Sequence, residues 1–385
     1  MSDKLKIAFC TDGVFPHTVG GMQRHSRLLV EELARRSDVE IEVIHPHAER
    51  VFVDSPEVRE LRVLPQNRER MYLPECYRHS RRVAALLVDR PHHLVYGQGL
   101  SVWHRIGSLP NPVVVNPHGL EPWQGLTLKD KLMGIPFRAV FGHLFRHADR
   151  VVSLGGRLTG ILQRCVPAGR IAVLPNAVNP PAPMERAFGG PLRLLFVARF
   201  AHNKGIHLLL QAVRELHAEG HGGKFIFNLA GKGPLYETLT REHQYPGLNY
   251  LGFVTDEQLG RLYAENDAFV FPTLFEGMPT VVLEAMGYSM PVIVSDTGAT
   301  AELVGPDNGF LIPAGSVPAL KQALLKFYAL PTAAKAEMAS RSHAKVMERF
   351  TWPKVAEAHM DLFRSLHEEL GQSKRSRPTR RETEL

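Results

Sequence analysis

Two glutamates, eight positions apart, are the residues in this chain best spaced to hold one ligand. Glu276 and Glu284 flank Gly277-Met278-Pro279-Thr280, a segment typical of a loop that leads into a helix. A helix that begins near Pro279 would direct free backbone N–H groups at whatever lies before it, and such groups bind anions. Amides that bind phosphate, beside carboxylates that accept hydroxyl groups, suit a sugar nucleotide. A buried helix with a stray exposed glutamate at each end explains the same residues equally well.

Two cations follow a strand-like segment in the second half of the chain. Arg199 and Lys204 come directly after the predicted strand Arg193–Ala198. Ligands bind parallel sheets beyond the carboxyl ends of their strands, so both side chains can point into such a site. Two fixed cations there would stabilise the negative charge that builds on a departing diphosphate. Two surface cations in a polar loop are the alternative, which their position after the strand makes less favourable.

Two segments of the first half also lie where strands end. Gly20 and Gly21 stand between the first predicted strand and a helix, where glycine lets backbone N–H groups approach phosphate closely. A plain tight turn explains a lone Gly-Gly pair as well. His118 follows the predicted strand Val113–Asn116 and can enter a cleft, although most of the 19 histidines should be structural. No G-x-G-x-x-G follows the first strand, which argues against a dinucleotide cofactor.

Two loops of the second half complete the candidate site. Gly231 and Gly233 follow the predicted strand at 224–229 and could line a nucleotide. Phe253 and Val254 follow the predicted strand at 249–251. Because backbone contacts leave few side-chain marks, the sequence leaves the identity of the base open.

Strand-like and helix-like segments alternate along the whole chain, which predicts an α/β protein with parallel sheets. The proline-rich segment 176–191 interrupts the pattern and is predicted to link two domains, 1–180 and 190–350. A last helix over 351–370 and a disordered basic tail over 371–385 are predicted to follow. Two Rossmann-like halves whose ligand-binding edges face each other would place the site in the cleft between them.

Predicted element bounds make this pattern testable. The predicted strands are Leu5–Cys10, Ile41–His45, Leu61–Leu64, Leu94–Tyr96, Val113–Asn116, Arg150–Ser153, Ile171–Leu174, Arg193–Ala198, Lys224–Leu229, Asn249–Leu251, Ala268–Phe271 and Pro291–Ser295. A helix is predicted from about Met22 to Arg36, and residues 316–349 are predicted to be helical.

Composition limits the class of protein. The 385 residues contain no apolar run of the ~18–20 residues that a membrane span needs. The N-terminus leads straight into a strand-like run, so no signal peptide is predicted. Three scattered cysteines give neither a disulfide framework nor a metal-ligand spacing, so a reducing cytoplasm is predicted.

The net charge of +7 lies mainly in the first half and the tail. An anionic partner, such as a lipid-phosphate acceptor or the inner face of a membrane, fits this excess, and a solvated basic face fits it equally well. The segment Lys129–His147 mixes cations with large apolar residues; we favour a helix packed on its own sheet over an interfacial helix. Basic residues are not interleaved with aromatic ones, so no nucleic-acid partner is predicted.

Taken in order, these motifs resemble the retaining glycosyltransferases of the GT-B fold, in particular glycosyltransferase family 4 (group 1). The stretch from Glu276 to Glu284 is similar to the E-x7-E element of that family, and Arg199 to Gly205 to its R-x4-K-G element. The first Gly-Gly loop and the histidine at a strand end occupy the expected places. The resemblance covers about Leu5 to Leu370.

The resemblance implies transfer of a hexose from a nucleoside diphosphate sugar to a carbohydrate or lipid-linked glycan, as in exopolysaccharide or lipopolysaccharide synthesis. It implies that Arg199 and Lys204 clamp the leaving diphosphate, and that the backbone at Phe253 and Val254 holds the base. Glu276 would hold donor-sugar hydroxyls, Glu284 the ribose hydroxyls, and His118 would orient the sugar. There is no D-x-D motif, and the cations would do a metal's work, so we expect metal independence and no cofactor.

Two departures and three alternatives accompany the resemblance. Ala299 replaces the second glycine of the family's Gly-Gly-x-x-Glu element, and Ala177 replaces the glycine of Pro-Asn-Gly-Val-Asp. A nucleotide-sugar epimerase of the same fold would use similar phosphate contacts without an acceptor. A non-catalytic sugar-nucleotide-binding protein is a further alternative, and a glycan phosphorylase is disfavoured because no pyridoxal-site lysine motif is present.

Overall fold

A computed structural model describes residues 4–67 and 71–376. Within them, strands and helices alternate and form two parallel sheets covered by helices, which confirms the α/β, two-sheet Rossmann-like fold. Buried strands such as Val113–Asn116, apolar on both faces, are typical of parallel sheets enclosed by helices. No described helix is both long and apolar enough to cross a membrane.

The first sheet has seven strands in the order β3-β2-β1-β4-β5-β6-β7. Its strands are β1 Leu5–Cys10, β2 Val39–His45, β3 Arg59–Arg62, β4 Leu94–Gln98, β5 Val113–Asn116, β6 Arg150–Ser153 and β7 Ile171–Val173. Its helices are α1 Gly21–Ala34, α2 Tyr72–Val88, α3 Leu128–Met133, α4 Ile135–His147 and α5 Gly156–Leu162. The order reverses between β1 and β4, where ligands bind in open sheets of this kind.

The second sheet has six strands in the order β10-β9-β8-β11-β12-β13. Its strands are β8 Leu192–Val197, β9 Phe225–Ala230, β10 Leu248–Gly252, β11 Ala268–Phe271, β12 Val292–Ser295 and β13 Gly309–Ile312. The helices of this half are α6 Ile206–Ala218, α7 Tyr236–Glu242, α8 Asp256–Glu265, α9 Thr280–Gly287, α10 Thr300–Leu303, α11 Val317–Ala329 and α12 Thr332–Arg349.

All twelve predicted strands agree with the structure to within two residues at each end, and those at 5–10, 113–116, 150–153 and 268–271 agree at both ends. The prediction missed β13, a four-residue strand at the edge of the second sheet. The predicted helical region 316–349 is two helices, α11 and α12. They separate at Pro331, because proline lacks the backbone N–H that a continuous helix needs.

The segment 129–147 also divides into two helices with different surroundings. α4 buries Phe141, Leu144 and Phe145, as expected of a helix packed on its own sheet. α3 has no buried residue, and its Leu128 and Leu132 are exposed. The favoured prediction is therefore right for α4 and wrong for α3, because that short helix lies outside the layer that covers the sheet.

The last helix, α13 Trp352–Ser376, crosses back onto the first domain. Val355, Met360, Phe363 and Leu366 pack in one core with the apolar residues of β1 and α1. The helix continues past Leu370 to Ser376, so residues 371–376 are helical and not part of a disordered tail. The rest of the predicted tail, 377–385, lies outside the described residues.

The chain crosses between the domains at two neighbouring places. The linker reaches the second domain after Val178, and the chain returns through Phe350 and Thr351. The Val178 N–H donates a hydrogen bond to the Phe350 carbonyl over 2.9 Å, and Val178 forms an isolated parallel bridge with Thr351. The two crossings are therefore joined directly.

The packing of α13 predicts that Phe363→Ala destabilises the first domain by about 3–5 kcal/mol, the usual result of deleting a buried phenyl ring. Phe363 is fully buried, and its ring lies 5.2 Å from that of Tyr96. Urea unfolding followed by fluorescence measures the change. The matched control, Met347→Ala at a well-exposed site on α12, should leave the transition almost unchanged. Equal unfolding midpoints for Phe363→Ala and wild type would contradict the assigned packing.

Candidate active site

A cleft of about 900 Å³ lies between the carboxyl ends of the two sheets. Residues that follow β1, β5, β8 and β11 all contribute to its walls, as expected when two such edges face each other. The structure brings together here most of the residues predicted from sequence. They are Gly20, Gly21, His118, Arg199, Lys204, Glu276, Gly277, Met278, Pro279, Thr280 and Glu284.

An ion pair lies in the middle of this cleft. Lys204 Nζ donates a hydrogen bond to Glu276 Oε1 over 2.6 Å, and Thr273 Oγ1 donates to the same oxygen over 3.0 Å. Glu276 is buried and Lys204 is half-buried, so the pair is partly shielded from water. No described residue forms a hydrogen bond with Glu276 Oε2. That oxygen can therefore accept a hydroxyl group from a ligand.

The surroundings of the pair are suited to an anion. Helices α1 and α9 both begin at the cleft, at Gly21 and Thr280, and the first N–H groups of a helix have no partners within it. Arg199 is exposed, and its side chain makes no hydrogen bond or ion pair with any described residue. Two helix N-termini and two cations thus surround one cavity, which is the electrostatic environment that a diphosphate requires.

Three consecutive carbonyl groups fix the segment 276–278. The Glu276 carbonyl accepts a hydrogen bond from Gln124 Nε2 over 2.9 Å, and the Gly277 carbonyl accepts one from the Ala299 N–H over 2.8 Å. The Met278 carbonyl accepts a hydrogen bond from Asn176 Nδ2 over 2.7 Å. Gln124 belongs to the first domain, Asn176 to the linker and Ala299 to the second domain. The segment is therefore held from both sides of the cleft.

Sequence reasoning missed the roles of Gln124 and Asn176. Gln124 also accepts a hydrogen bond from the Gly298 N–H over 3.0 Å, so one amide side chain joins two loops of the second domain. Neither residue belongs to a motif that names a chemical role. Only the fold brings them to the Glu276 segment. Ala177, one of the two departures from the family pattern, is buried beside Asn176 and does not line the cleft.

The other departure lies in a loop that supports the cleft. Gly298 has φ +54°, and a Cβ atom there would lie 2.2 Å from the Glu276 carbonyl oxygen. Ala299 has φ −105° and is fully buried, so a residue with a methyl side chain is accommodated. In this loop the close approach that needs glycine is made by Gly298. The loop packs against the first domain, where the Gly156 N–H donates to Glu302 Oε1 over 3.1 Å.

His118 is a neutral, fixed side chain at the bottom of the cleft. Its backbone adopts φ +59°, and its Nε2 atom forms a hydrogen bond with Gln98 Oε1. Burial, and then the nearby His359, lower the pKa of His118 to about 3. The imidazole is therefore uncharged at neutral pH, which suits an orienting role better than that of a cation. Gly277 fits against this residue closely, since a Cβ atom on it would lie 1.9 Å from the His118 carbonyl oxygen.

Glu284 lies one turn inside α9, as the spacing predicts. Tyr263 OH donates a hydrogen bond to Glu284 Oε2 over 2.8 Å. Burial raises the pKa of Glu284, and the nearby Arg24 opposes this shift. Arg24 in turn reaches across the cleft to Asp256 of the second domain, with Nη2 3.0 Å from Oδ1. Glu284 therefore lies beside a contact that joins the two domains.

Four predicted donor-binding residues do not line the cleft. Gly231 and Gly233 pack against the loop that carries Arg199: a Cβ atom on Gly231 would lie 1.9 Å from the Ala198 carbonyl oxygen, and one on Gly233 2.6 Å from that of Phe200. Phe253 is 76% exposed and Val254 is half-buried, both outside the cavity. The two glycines thus allow the close approach that positions the Arg199 loop. A role of these four residues in donor binding stays a prediction.

In the described parts of the chain, no group of three or more His, Cys, Asp or Glu side chains is placed to hold a metal ion. The cationic groups of the cleft are Arg199, Lys204 and the two helix N-termini. Metal independence itself stays a prediction.

Comparison with known proteins is consistent across both halves. Residues 19–181 match the family described as Glycosyltransferase Family 4, and residues 191–329 match Glycosyl transferases group 1. The putative colanic acid biosynthesis glycosyltransferase WcaL of Escherichia coli (strain K12) is 29% identical over 226 residues. That match spans 54% of this chain and 55% of WcaL, about half the length of each.

Two further matches extend over nearly the whole chain. The O-antigen chain mannosyltransferase B of Escherichia coli is 25% identical over 399 aligned positions, which cover 94% of this chain and 100% of that protein. The structure of HepE from Anabaena, solved in complex with UDP, superposes with a TM-score of 0.66 at 16% identity. The superposition covers 94% of this chain and 100% of HepE. At that identity the structural likeness concerns the fold alone.

The buried histidines near the cleft predict instability in acid. Burial lowers the pKa of fully buried His359 to about 4, from about 6.5 in an unfolded chain. Between these values the unfolded chain takes up a proton that the folded protein does not, so the free energy of unfolding falls as the pH falls. One such group contributes about 1.4 kcal/mol per pH unit, and His118 acts in the same direction.

Urea unfolding at a series of pH values from 4 to 7 measures this slope. His359→Gln keeps a polar partner for the Tyr96 hydroxyl, which lies 3.0 Å from His359 Nε2, but cannot take up the proton. Between pH 4 and 6.5, the slope of the free energy of unfolding against pH should be about 1.4 kcal/mol per pH unit smaller in the variant than in wild type. An unchanged slope in the variant would show that His359 is not buried as a neutral group.

Proposed function

Because this chain belongs to the group 1 glycosyltransferases of family 4, with the GT-B arrangement of two Rossmann-like domains, we propose that it transfers a hexose from a nucleoside diphosphate sugar to a glycan acceptor with retention of configuration. The acceptor is a carbohydrate or a lipid-linked glycan, as in exopolysaccharide or lipopolysaccharide synthesis. The names of WcaL and the O-antigen mannosyltransferase support this class of product.

The observation that carries the proposal is the Lys204–Glu276 pair between two helix N-termini. Arg199 lies beside it without a side-chain partner among the residues that the structure describes. Such an arrangement supplies positive charge for a diphosphate and a carboxylate oxygen for sugar hydroxyls in one cavity. Both requirements are those of a nucleotide sugar. The UDP in the HepE structure is consistent with a uridine nucleotide as donor.

Each polar group of the cleft receives a role in this proposal. Arg199 and Lys204, with the amides at the starts of α1 and α9, stabilise the diphosphate as it leaves. Glu276 accepts hydrogen bonds from hydroxyl groups of the donor sugar, and Glu284 accepts them from the ribose. His118 orients the sugar as a neutral group. Lys204 can contact both Glu276 and a phosphate, which couples sugar binding to leaving-group binding.

The chemical step needs no protein base. The bond between the anomeric carbon and the diphosphate oxygen breaks, and the acceptor oxygen bonds to the same face of that carbon. The acceptor proton passes to a phosphate oxygen of the leaving group. The cations neutralise the charge left on the diphosphate, so the reaction does not depend on a metal ion in this proposal.

A donor screen tests the proposal directly. Thermal unfolding is followed with UDP-, GDP- and ADP-sugars, together with their slow hydrolysis. A ligand present at ~100 times its Kd adds about 2.7 kcal/mol to the free energy of unfolding. We expect one nucleotide to stabilise the protein and Glu276→Ala to weaken that stabilisation. No stabilisation by any nucleotide sugar would mean that the cleft is not a donor site.

Lys204→Ala and Glu276→Ala should each lower kcat by ~10²–10³-fold, the usual result of removing a group that stabilises transition-state charge. Far-ultraviolet circular dichroism should show both variants folded. Arg261→Ala, which removes an exposed cation on α8, is the matched control and should keep full activity. Turnover close to that of wild type in both cleft variants would exclude the assigned roles.

Product stereochemistry separates the proposal from its alternatives. With an active donor and acceptor, proton NMR recorded during turnover should show the anomeric configuration of the donor in the first product formed. An inverted product would contradict retention. Epimerised sugar nucleotide formed without acceptor would identify an epimerase instead. Tight donor binding with no turnover on any acceptor would identify a non-catalytic binding protein.

A further inference from the structure

A second cavity opens from the cleft on the first-domain side, and we propose that it holds the hydrocarbon chain of an amphiphilic acceptor. The acceptor would be a sugar carried on a lipid, with its sugar at the reaction centre. We call this cavity the apolar groove; it has a volume of about 410 Å³ and is lined by Met22, Leu100, Met133, Phe137, Phe141 and Phe275, among others. The inference rests on the proposed transferase function and narrows its acceptor class.

The groove is a mainly apolar surface left open to solvent. Its lining also includes the carboxylates of Asp12, Glu121 and Asp130. Phe137 and Phe275 are only partly buried, and the Tyr72 ring lies 6.1 Å from that of Phe137. An open concavity lined by aromatic and methionine side chains is a common form of ligand site. A hydrophilic glycan would leave this apolar surface in contact with water, whereas a hydrocarbon chain would cover it.

The groove is continuous with the reaction cleft. Asp12, Tyr72, Pro117 and Glu121 line both cavities. Glu121 lines the same cleft as Glu276, the proposed ligand of the donor sugar. A molecule whose chain lies in the groove therefore presents its other end to the site of transfer.

A polar pocket adjoins the groove and the cleft at the same junction, and it suits further polar groups of the acceptor beyond the sugar at the reaction centre. It has a volume of about 410 Å³ and is also lined by Asp12 and Tyr72. His17, Gln66 and Glu75 are among its other residues and offer hydrogen-bonding groups for hydroxyls. Asp12 and Tyr72 thus separate a polar cavity from an apolar one, which matches the two ends of an amphiphile.

At its outer end the groove meets an exposed apolar rim. Met133, at the end of α3, lines the groove and is 67% exposed. Leu128, Leu132 and Ile135 nearby are also exposed large apolar side chains. Four exposed large apolar side chains within residues 128–135 are typical of an interaction site. A chain longer than the groove can continue along this rim without entering water.

Isothermal titration calorimetry with methyl, butyl, hexyl and octyl glucoside, below their micellar concentrations, tests the groove. Each buried methylene group should lower Kd about three- to fourfold until the groove is filled. In Met133→Ser and Phe137→Ser, the ratio of the methyl to the octyl glucoside Kd should fall at least tenfold, with little change for methyl glucoside. Met347→Ser removes an equally apolar exposed side chain on α12 and should keep the wild-type series.

The same titrations can overturn the inference. A Kd that does not depend on chain length, or octyl glucoside that does not bind, excludes a hydrocarbon site. If Met347→Ser loses the chain-length dependence as much as the two groove variants do, a hydrocarbon site in the groove is also excluded. Failure of the transferase proposal has a different result: no nucleotide sugar stabilises the protein or is hydrolysed, while the alkyl series still shows tighter binding with length. The two proposals therefore fail separately.

Discussion

Hydrogen bonds to three successive carbonyl groups, those of residues 276–278, set the geometry of the whole cleft. Gln124, Asn176 and the Ala299 N–H supply them, and these three residues come from the first domain, the linker and the second domain. The Glu276 carboxylate and the N-terminus of α9 are thereby fixed relative to both sheets. A site built this way does not need to reorganise its dipoles during the reaction, which is the basis of electrostatic stabilisation in enzymes.

The electrostatics of the cleft divide the chemical work between its two sides. Positive charge on the second-domain side comes from Arg199, Lys204 and the N-terminus of α9, and the N-terminus of α1 lines the same cleft from the first domain. On the first-domain side His118 is kept neutral by burial, so it adds no charge to that side of the cleft. In the absence of a ligand, Lys204 pairs with Glu276, so the buried carboxylate has a charged partner. Charge is therefore concentrated where a diphosphate would lie.

The sequence predicted the framework and most of the cleft, because both depend on local patterns. Apolar runs marked the buried strands, and residues directly after strand ends, such as His118 and Arg199, reached the cleft. Gln124 escaped prediction since its partners are more than 150 positions away and come close only in the fold. Gly231 and Gly233 fit the pattern of a nucleotide-binding loop, but in the structure they allow their loop to pack tightly against the loop that carries Arg199. β13 was missed because a four-residue edge strand carries too little pattern.

The two joined crossings of the chain give the molecule the topology of an insertion. The first domain is built from residues up to about Val178 and is completed by α13, whereas the second domain is one continuous piece between them. The ends of that piece meet where Val178 pairs with Thr351. The second domain is therefore a cassette that recombination could exchange through two breakpoints adjacent in space. The first domain is made of two distant stretches of sequence that share one core.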